Sequence, residues 1–156
     1  MAQPKFITDP SYDALHNAAI TMVREARTIA WIDAIVAPVR GGLMFGVIAS
    51  HKLNVPVIPV AYSSKKGAGD DKNHANLLPF VEDPKTGERV KTILLVDDII
   101  DTGHTLKEIA DHYTSEGIRV ITAVFHYKEG SVFHPDLYYW RIPADSEFIN
   151  YPYENT

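Results

Sequence analysis

The chain contains no cysteine, which excludes a disulfide scaffold, thiolate zinc sites and a cysteine nucleophile. No apolar run approaches the roughly 20 residues a membrane helix needs, and no signal-peptide pattern opens the chain. A basic excess is missing too. Fifteen Lys and Arg stand against twenty Asp and Glu, a formal charge of -5, so a non-specific polyanion binder is disfavoured and nucleic acid is not an expected partner. A small anionic ligand needs only a local cluster and stays open. There is no GK[ST] for a P-loop, and Gly67-Ala68-Gly69 lacks the third glycine of a dinucleotide fingerprint. Seven histidines are present, none in a metal-binding spacing such as HExxH. With no repeat, linker or low-complexity segment, residues 1–156 read as one domain, long enough to bury roughly two thirds of its unfolded surface without a staple. A cytoplasmic protein with no membrane partner is expected.

What the sequence does contain is organised around Ile93 to Leu106, ILLVDDIIDTGHTL. Ile93-Leu94-Leu95-Val96 is short and branched enough for a strand buried on both faces. Asp97 and Asp98 follow, then Ile99-Ile100, then the small-residue loop Asp101-Thr102-Gly103-His104-Thr105, then helical spacing from Thr105 to about Glu116 with Gly117 as its cap. In an open α/β sheet such a junction lies at the carboxyl end of a strand, where ligands bind. The helix N-terminus there offers unpaired N–H groups and a positive dipole end for a phosphate.

Around this stretch helices and strands alternate. Asp9-Pro10-Ser11 reads as a helix entry, and Leu15, Ala18, Ala19, Met22, Val23 and Ala26 recur at three and four, predicting a helix over about 11–28. Ala34 to Ala37 is a short buried strand ending in Pro38-Val39-Arg40-Gly41-Gly42, where two glycines let backbone approach a ligand and the arginine supplies charge. Leu43 to Leu53 reads as a helix and Val55 to Tyr62 as a strand. Ser63 to Ala75 is polar and contains glycine, as a mobile active-site loop or an unstructured insertion would be. Leu77 to Glu82 and Arg89 to Leu95, around Asp83-Pro84-Lys85-Thr86-Gly87, form a predicted antiparallel hairpin. Val120 to Tyr127 and Leu137 to Ile142 are further strands, and Pro143 begins an unusually aromatic tail. The expected class is α/β: a mostly parallel central sheet flanked by helices, with an antiparallel appendage.

Two shorter motifs inside the central stretch point elsewhere and fail. DDIID matches the magnesium-binding carboxylates of terpenoid synthases, but those must share a helix face, which the ILLV run and the following DTG disfavour. Asp101-Thr102-Gly103 matches the aspartic-protease triplet, yet that chemistry needs two such carboxylates and the chain offers one.

Taken whole, four apolar residues, two acids, two apolar residues and DTG-x-T resemble the phosphoribosyl-pyrophosphate (PRPP) motif of type I phosphoribosyltransferases. The Pro38 to Gly42 turn is similar to the family's pyrophosphate loop and Ser63 to Ala75 to its flexible lid. Asp101 and the tail Phe148-Ile149-Asn150-Tyr151-Pro152-Tyr153-Glu154 most resemble the short bacterial 6-oxopurine enzymes. The resemblance implies purine salvage: Mg²⁺-dependent transfer of 5-phosphoribosyl from PRPP to N9 of guanine, xanthine or hypoxanthine, giving a nucleoside 5'-monophosphate and pyrophosphate. A lid over about 63–90, a hood over about 128–156 and a homodimer or homotetramer come with it.

The resemblance also implies roles. Asp97 and Asp98 bind the ribose hydroxyls; Asp101, Thr102, Gly103, His104 and Thr105 hold the 5'-phosphate; Arg40, Gly41 and Gly42 hold pyrophosphate, after a cis peptide at Val39-Arg40. Asp101 is the general acid/base at the purine N7. Lys128 meets the 6-oxo group, Phe148 stacks on the ring and the Ile149 backbone reads the base edge. Mg²⁺ is carried mainly by PRPP, with Asp97, Asp98 and Glu154 near it. Ser63, Ser64 and Lys65 belong to the lid, where Tyr62-Ser63-Ser64-Lys65 replaces the usual Ser-Tyr pair; Phe148 stands where some relatives have tryptophan. His104 either donates to the anion or faces solvent. A phosphoribosyltransferase for another base, or a PRPP-sensing regulator, are the alternatives.

Overall fold

A computed structural model describes residues 8–62, 82–83, 85–146 and 148–154. The proposed lid residues Ser63, Ser64 and Lys65, and most of the first arm of the predicted hairpin, lie outside them. Helix α1 spans Tyr12–Ile29, capped by Ser11, whose Oγ accepts from the Ala14 N–H at 3.1 Å. It buries Leu15, Ala18, Ala19, Met22, Val23 and Ala26, the stripe its spacing predicts. Strand β1 (Ala34–Pro38) and helix α2 (Leu43–Leu53) follow, then β2 (Val57–Val60), β3 (Thr92–Ile100), α3 (His104–Ser115), β4 (Arg119–Lys128) and β5 (Leu137–Ile142).

The five strands form one sheet in the order β2-β1-β3-β4-β5, every pair parallel. Chain order reverses between β1 and β3, which makes the crevice beyond their carboxyl ends the topological switch point of the sheet. One core packs α1 and α2 on the sheet through Leu15, Met22, Phe45, Leu94, Val96 and Phe125. A second packs α3 on the opposite face through Leu95, Leu106, Ile109, Tyr113 and Val124.

Three strand bounds are corrected. β3 begins at Thr92 and not at Arg89; of the predicted hairpin the described residues include one antiparallel bridge, Glu82 to Arg89, and the rest of its first arm lies outside them. Strand β2 is shorter than Val55 to Tyr62: Pro56 and Pro59 cannot donate, and β2 is an edge strand, where proline is tolerated but pairing is brief. Strand β3 does not end before the acids; it continues through Ile100, with Asp97 opposite Val124 and Ile99 opposite His126.

Candidate active site

Regular alternation on β3 would turn Asp97 and Asp98 to opposite faces. The alternation breaks at that pair. Leu94 and Val96 belong to the α1/α2 core, yet Ile99 packs there as well, while Ile100 joins the α3 core. Pairing with β1 has already stopped at Leu95, so this edge of β3 is free to distort. Side chains supply acceptors for its backbone: the Asp98 N–H donates to Asp97 Oδ1 at 2.9 Å and the Ile99 N–H to Asp98 Oδ1 at 2.7 Å. Both carboxylates thereby line one cleft of about 710 Å³, opposite Val39, Arg40 and Gly41.

The turn after β1 is fitted to this arrangement. The Val39-Arg40 peptide is cis, as the resemblance implied. A Cβ on Gly41 would collide with the Asp98 carboxylate, 2.8 Å from its Cγ, and one on Gly42 would lie 2.8 Å from the Val96 carbonyl oxygen. These glycines let the turn close down on β3 itself, a packing demand that the sequence reading, which looked only to a ligand, did not foresee.

Beyond β3, Asp101 to Thr105 wraps a second hollow of about 550 Å³ at the start of α3. Gly103 is the helix N-cap with φ 90°, has no side-chain cap, and the first turn carries no acid. The positive end of the helix is thus left open toward the loop. His104 begins the helix and is exposed. The connection from β4 to β5 braces the loop from behind: the Val132 N–H donates to the Thr102 carbonyl at 2.8 Å, and Phe133 fills the place of a Gly103 side chain.

A third hollow, about 620 Å³, adjoins both. It is lined by Asp101, Lys128, Ser146, Phe148, Ile149 and Glu154 among others. Lys128 Nζ lies 3.0 Å from Asp101 Oδ1. Phe148 is 94% exposed, whereas Ile149 is buried, so the tail presents one ring to solvent beside an apolar floor. Tyr151 and Tyr153 then turn back under the acids: the Tyr151 hydroxyl donates to the Asp98 carbonyl at 3.0 Å and the Tyr153 hydroxyl to Asp98 Oδ2 at 3.2 Å.

Charge in the cleft is mostly negative. Burial pushes the Asp97 carboxyl well above the usual carboxylate range, and the Asp98 charge adds to this. Burial raises Asp98 as well, opposed by the hydrogen bonds it accepts. Burial and Asp98 raise Glu154, with Arg40 opposing. Hard carboxylate oxygens with surplus negative charge suit a divalent cation. Yet among the described residues no group of three His, Cys, Asp or Glu is arranged to hold a metal. The oxygens of Asp97, Asp98 and Glu154 line the first cleft, and hard oxygen ligands of this kind suit Mg²⁺.

Residues 11–155 match the family described as the phosphoribosyl transferase domain. The chain belongs to that family. Among curated relatives, the xanthine-guanine phosphoribosyltransferase of Idiomarina loihiensis is 34% identical over 98 residues, covering 62% of this chain and 58% of that protein. That of Roseobacter denitrificans is 27% identical over 128 residues, covering 72% and 68%. The first of these alignments spans less than two thirds of the relative's length. Among solved structures, a purine phosphoribosyltransferase from Pyrococcus horikoshii superposes with a TM-score of 0.73 at 22% identity, covering 95% of this chain and 94% of that one. A xanthine-guanine-hypoxanthine phosphoribosyltransferase from Helicobacter pylori gives 0.70 at 20% identity, covering 94% and 92%. At such identities the superpositions speak for the fold.

Within this phosphoribosyl transferase domain, the described residues singled out from sequence gather around the three adjoining hollows, except Gly42, which lines none of them. Three tyrosines, Tyr62, Tyr151 and Tyr153, lie in stretches singled out from sequence but carried no role of their own there. Tyr62 lines the first cleft, its hydroxyl donating to Glu108 Oε2 at 2.6 Å, with burial and then Glu108 pushing its pKa up. The hydroxyls of Tyr151 and Tyr153 act on Asp98. The aromatic tail was visible, but nothing in its spacing tells which strand residue a tyrosine will meet.

Proposed function

We propose that the protein is a purine phosphoribosyltransferase that moves the 5-phosphoribosyl group of PRPP to N9 of a 6-oxopurine: guanine, xanthine or hypoxanthine. The observation that carries the reading is the adjacency of three hollows whose chemistry suits the parts of the substrates: one with Arg40 and Gly41 facing Asp97 and Asp98, one wrapped by Asp101 to Thr105 at the start of α3, and one with the Asp101–Lys128 pair over an apolar floor. The xanthine-guanine names of its relatives support the purine.

In this reading the amides of the first turn of α3, with Asp101, Thr102, Gly103, His104 and Thr105, receive the 5'-phosphate. Asp97 and Asp98 accept from the ribose hydroxyls. Arg40 and the Gly41 and Gly42 amides hold the pyrophosphate. Lys128 donates to the 6-oxo group, Phe148 covers the ring and the Ile149 backbone meets its far edge. The C1–oxygen bond to pyrophosphate breaks, the C1–N9 bond forms, and Asp101 takes the proton the purine must lose. Asp97, Asp98 and Glu154 would share a Mg²⁺ with the phosphates, which supplies charge neutralisation for the leaving group. Ser63, Ser64 and Lys65 would exclude water from above. A homodimer or homotetramer working in the cytoplasm completes the proposal. No described helix is long and apolar enough to cross a membrane.

Incubation with PRPP, Mg²⁺ and, separately, guanine, xanthine, hypoxanthine, adenine and uracil tests it. Nucleotide is expected with one or more of the first three. No product with any base, alongside thermal stabilisation by PRPP, would replace the enzyme with a PRPP-sensing regulator. Product with uracil or adenine alone would reassign the base.

A further inference from the structure

Asp98 is held from three directions at once. Its Oδ1 accepts from the Ile99 N–H at 2.7 Å, its Oδ2 accepts from the Tyr153 hydroxyl at 3.2 Å, and Gly41 closes on the carboxylate with no room for a side chain. An ionised carboxylate offers about four acceptor positions, so each oxygen keeps one more for a ligand, aimed by the groups already bound. The backbone is held too, because the Tyr151 hydroxyl donates to the Asp98 carbonyl at 3.0 Å. That hydroxyl has a single proton. With it committed to Asp98, the ring of His126, whose Nδ1 lies 2.7 Å away, must donate to the Tyr151 oxygen. His126 is fully buried and stacks on Trp140 at 4.7 Å between centroids. Tyr151 and Tyr153 are themselves stacked, with centroids 5.3 Å apart and ring planes nearly parallel at 6°.

We propose that Tyr151 and Tyr153 are positioning residues for PRPP: their hydroxyls fix the backbone and carboxylate of Asp98, so the tail that walls the base hollow also sets the sugar site. The inference rests on the reading of Asp98 as a ribose ligand. A carboxylate left without such contacts would have rotamer freedom to lose on binding. The tyrosines remove most of that loss in advance, and His126, buried against Trp140, anchors the pair. A tail acting only as a plug would need the rings and not the hydroxyls.

The test is PRPP binding to the full chain with Mg²⁺ and no base, by calorimetry, for wild type, Tyr153→Phe, Asp98→Ala and the double variant. Tyr153→Phe keeps the ring. Its PRPP Kd should rise about tenfold, the loss of one hydrogen bond to a charged group. In steady state, KM for PRPP should rise while KM for the purine moves less than about twofold. In the Asp98→Ala background Tyr153→Phe should add almost nothing. Unchanged Kd, or an equal loss with and without Asp98, would overturn the proposal. If Tyr153→Phe does not fold, Tyr151→Phe carries the same test through the Asp98 carbonyl. A wild type that binds no PRPP would remove the proposed function as well, whereas a wild type that binds and variants that bind as tightly would remove this inference alone.

Discussion

Lys128 Nζ and Asp101 Oδ1 meet at 3.0 Å although 27 positions separate them. Parallel pairing of β3 with β4 sets Ile100 opposite Tyr127, so Asp101, just past β3, emerges beside Lys128, the last residue of β4. The lysine is the more sheltered partner, with 23% of its side chain exposed against 67% for the aspartate. The carboxylate therefore faces the base hollow with a cation already beside it. In the proposed function, a purine entering there meets Lys128 as the donor to its 6-oxo group and Asp101 as the acceptor of its departing proton.

Asp101→Asn tests the acceptor. The amide keeps the loop's size but takes no proton, so kcat should fall by roughly 10² or more with PRPP affinity little changed, as loss of general acid/base action does. Rapid-quench turnover alongside PRPP titration measures both. Near-normal turnover would make Asp101 a loop residue.

Phe148→Ala separates binding from stability. The ring is 94% exposed, so its removal should shift Tm by no more than about 1–2 °C. If the ring stacks on the purine, KM for the base should rise about tenfold, in line with roughly 1–3 kcal/mol per stacked base. A normal KM would leave Phe148 without a role in the base site.

Gly41→Ala should damage the PRPP site before the fold. Its methyl would meet the Asp98 carboxylate, forcing either the turn or the acid to move. PRPP Kd should weaken by at least about tenfold, since a hydrogen-bonded site tolerates little misplacement. Calorimetry with the variant, checked by Tm, decides it; unchanged affinity would mean the turn has slack.

Asp97→Asn should stabilise the protein while disabling it. Burial raises the Asp97 carboxyl above its unfolded value. For an acid this means the folded state holds its proton more tightly, so stability is full below the unfolded pKa and falls as pH rises through the folded one. Asn has no proton to lose and its Oδ1 can still accept from the Asp98 N–H. Tm near pH 8 should rise, with the gain vanishing below the unfolded pKa of an aspartate, at about pH 4. Activity should drop sharply at both ends. A lower Tm at pH 8 would show that the Asp97 charge helps hold the fold.

The sequence by itself determined the elements and their class. Leu15 to Ala26 repeat at helical spacing because only a helix aligns them into one stripe, and that stripe is what α1 buries. Apolar runs too short for helices had to be buried strands, and their alternation with helices implies a parallel sheet. The residues of the central stretch showed an anion site at a strand end, and the PRPP reading came from its resemblance to the family's motif. Three things required the tertiary structure. The slip at Asp97–Asp98 depends on β1 pairing no further than Leu95, a fact about a strand some sixty residues away in sequence. Gly41 and Gly42 read as ligand-facing glycines, yet what crowds them is Asp98 and Val96. Tyr151 and Tyr153 read as an aromatic terminus, and only folding brought their hydroxyls to Asp98. Local periodicity carries no record of which distant backbone ends beside a given residue, and the candidate site is made of such meetings.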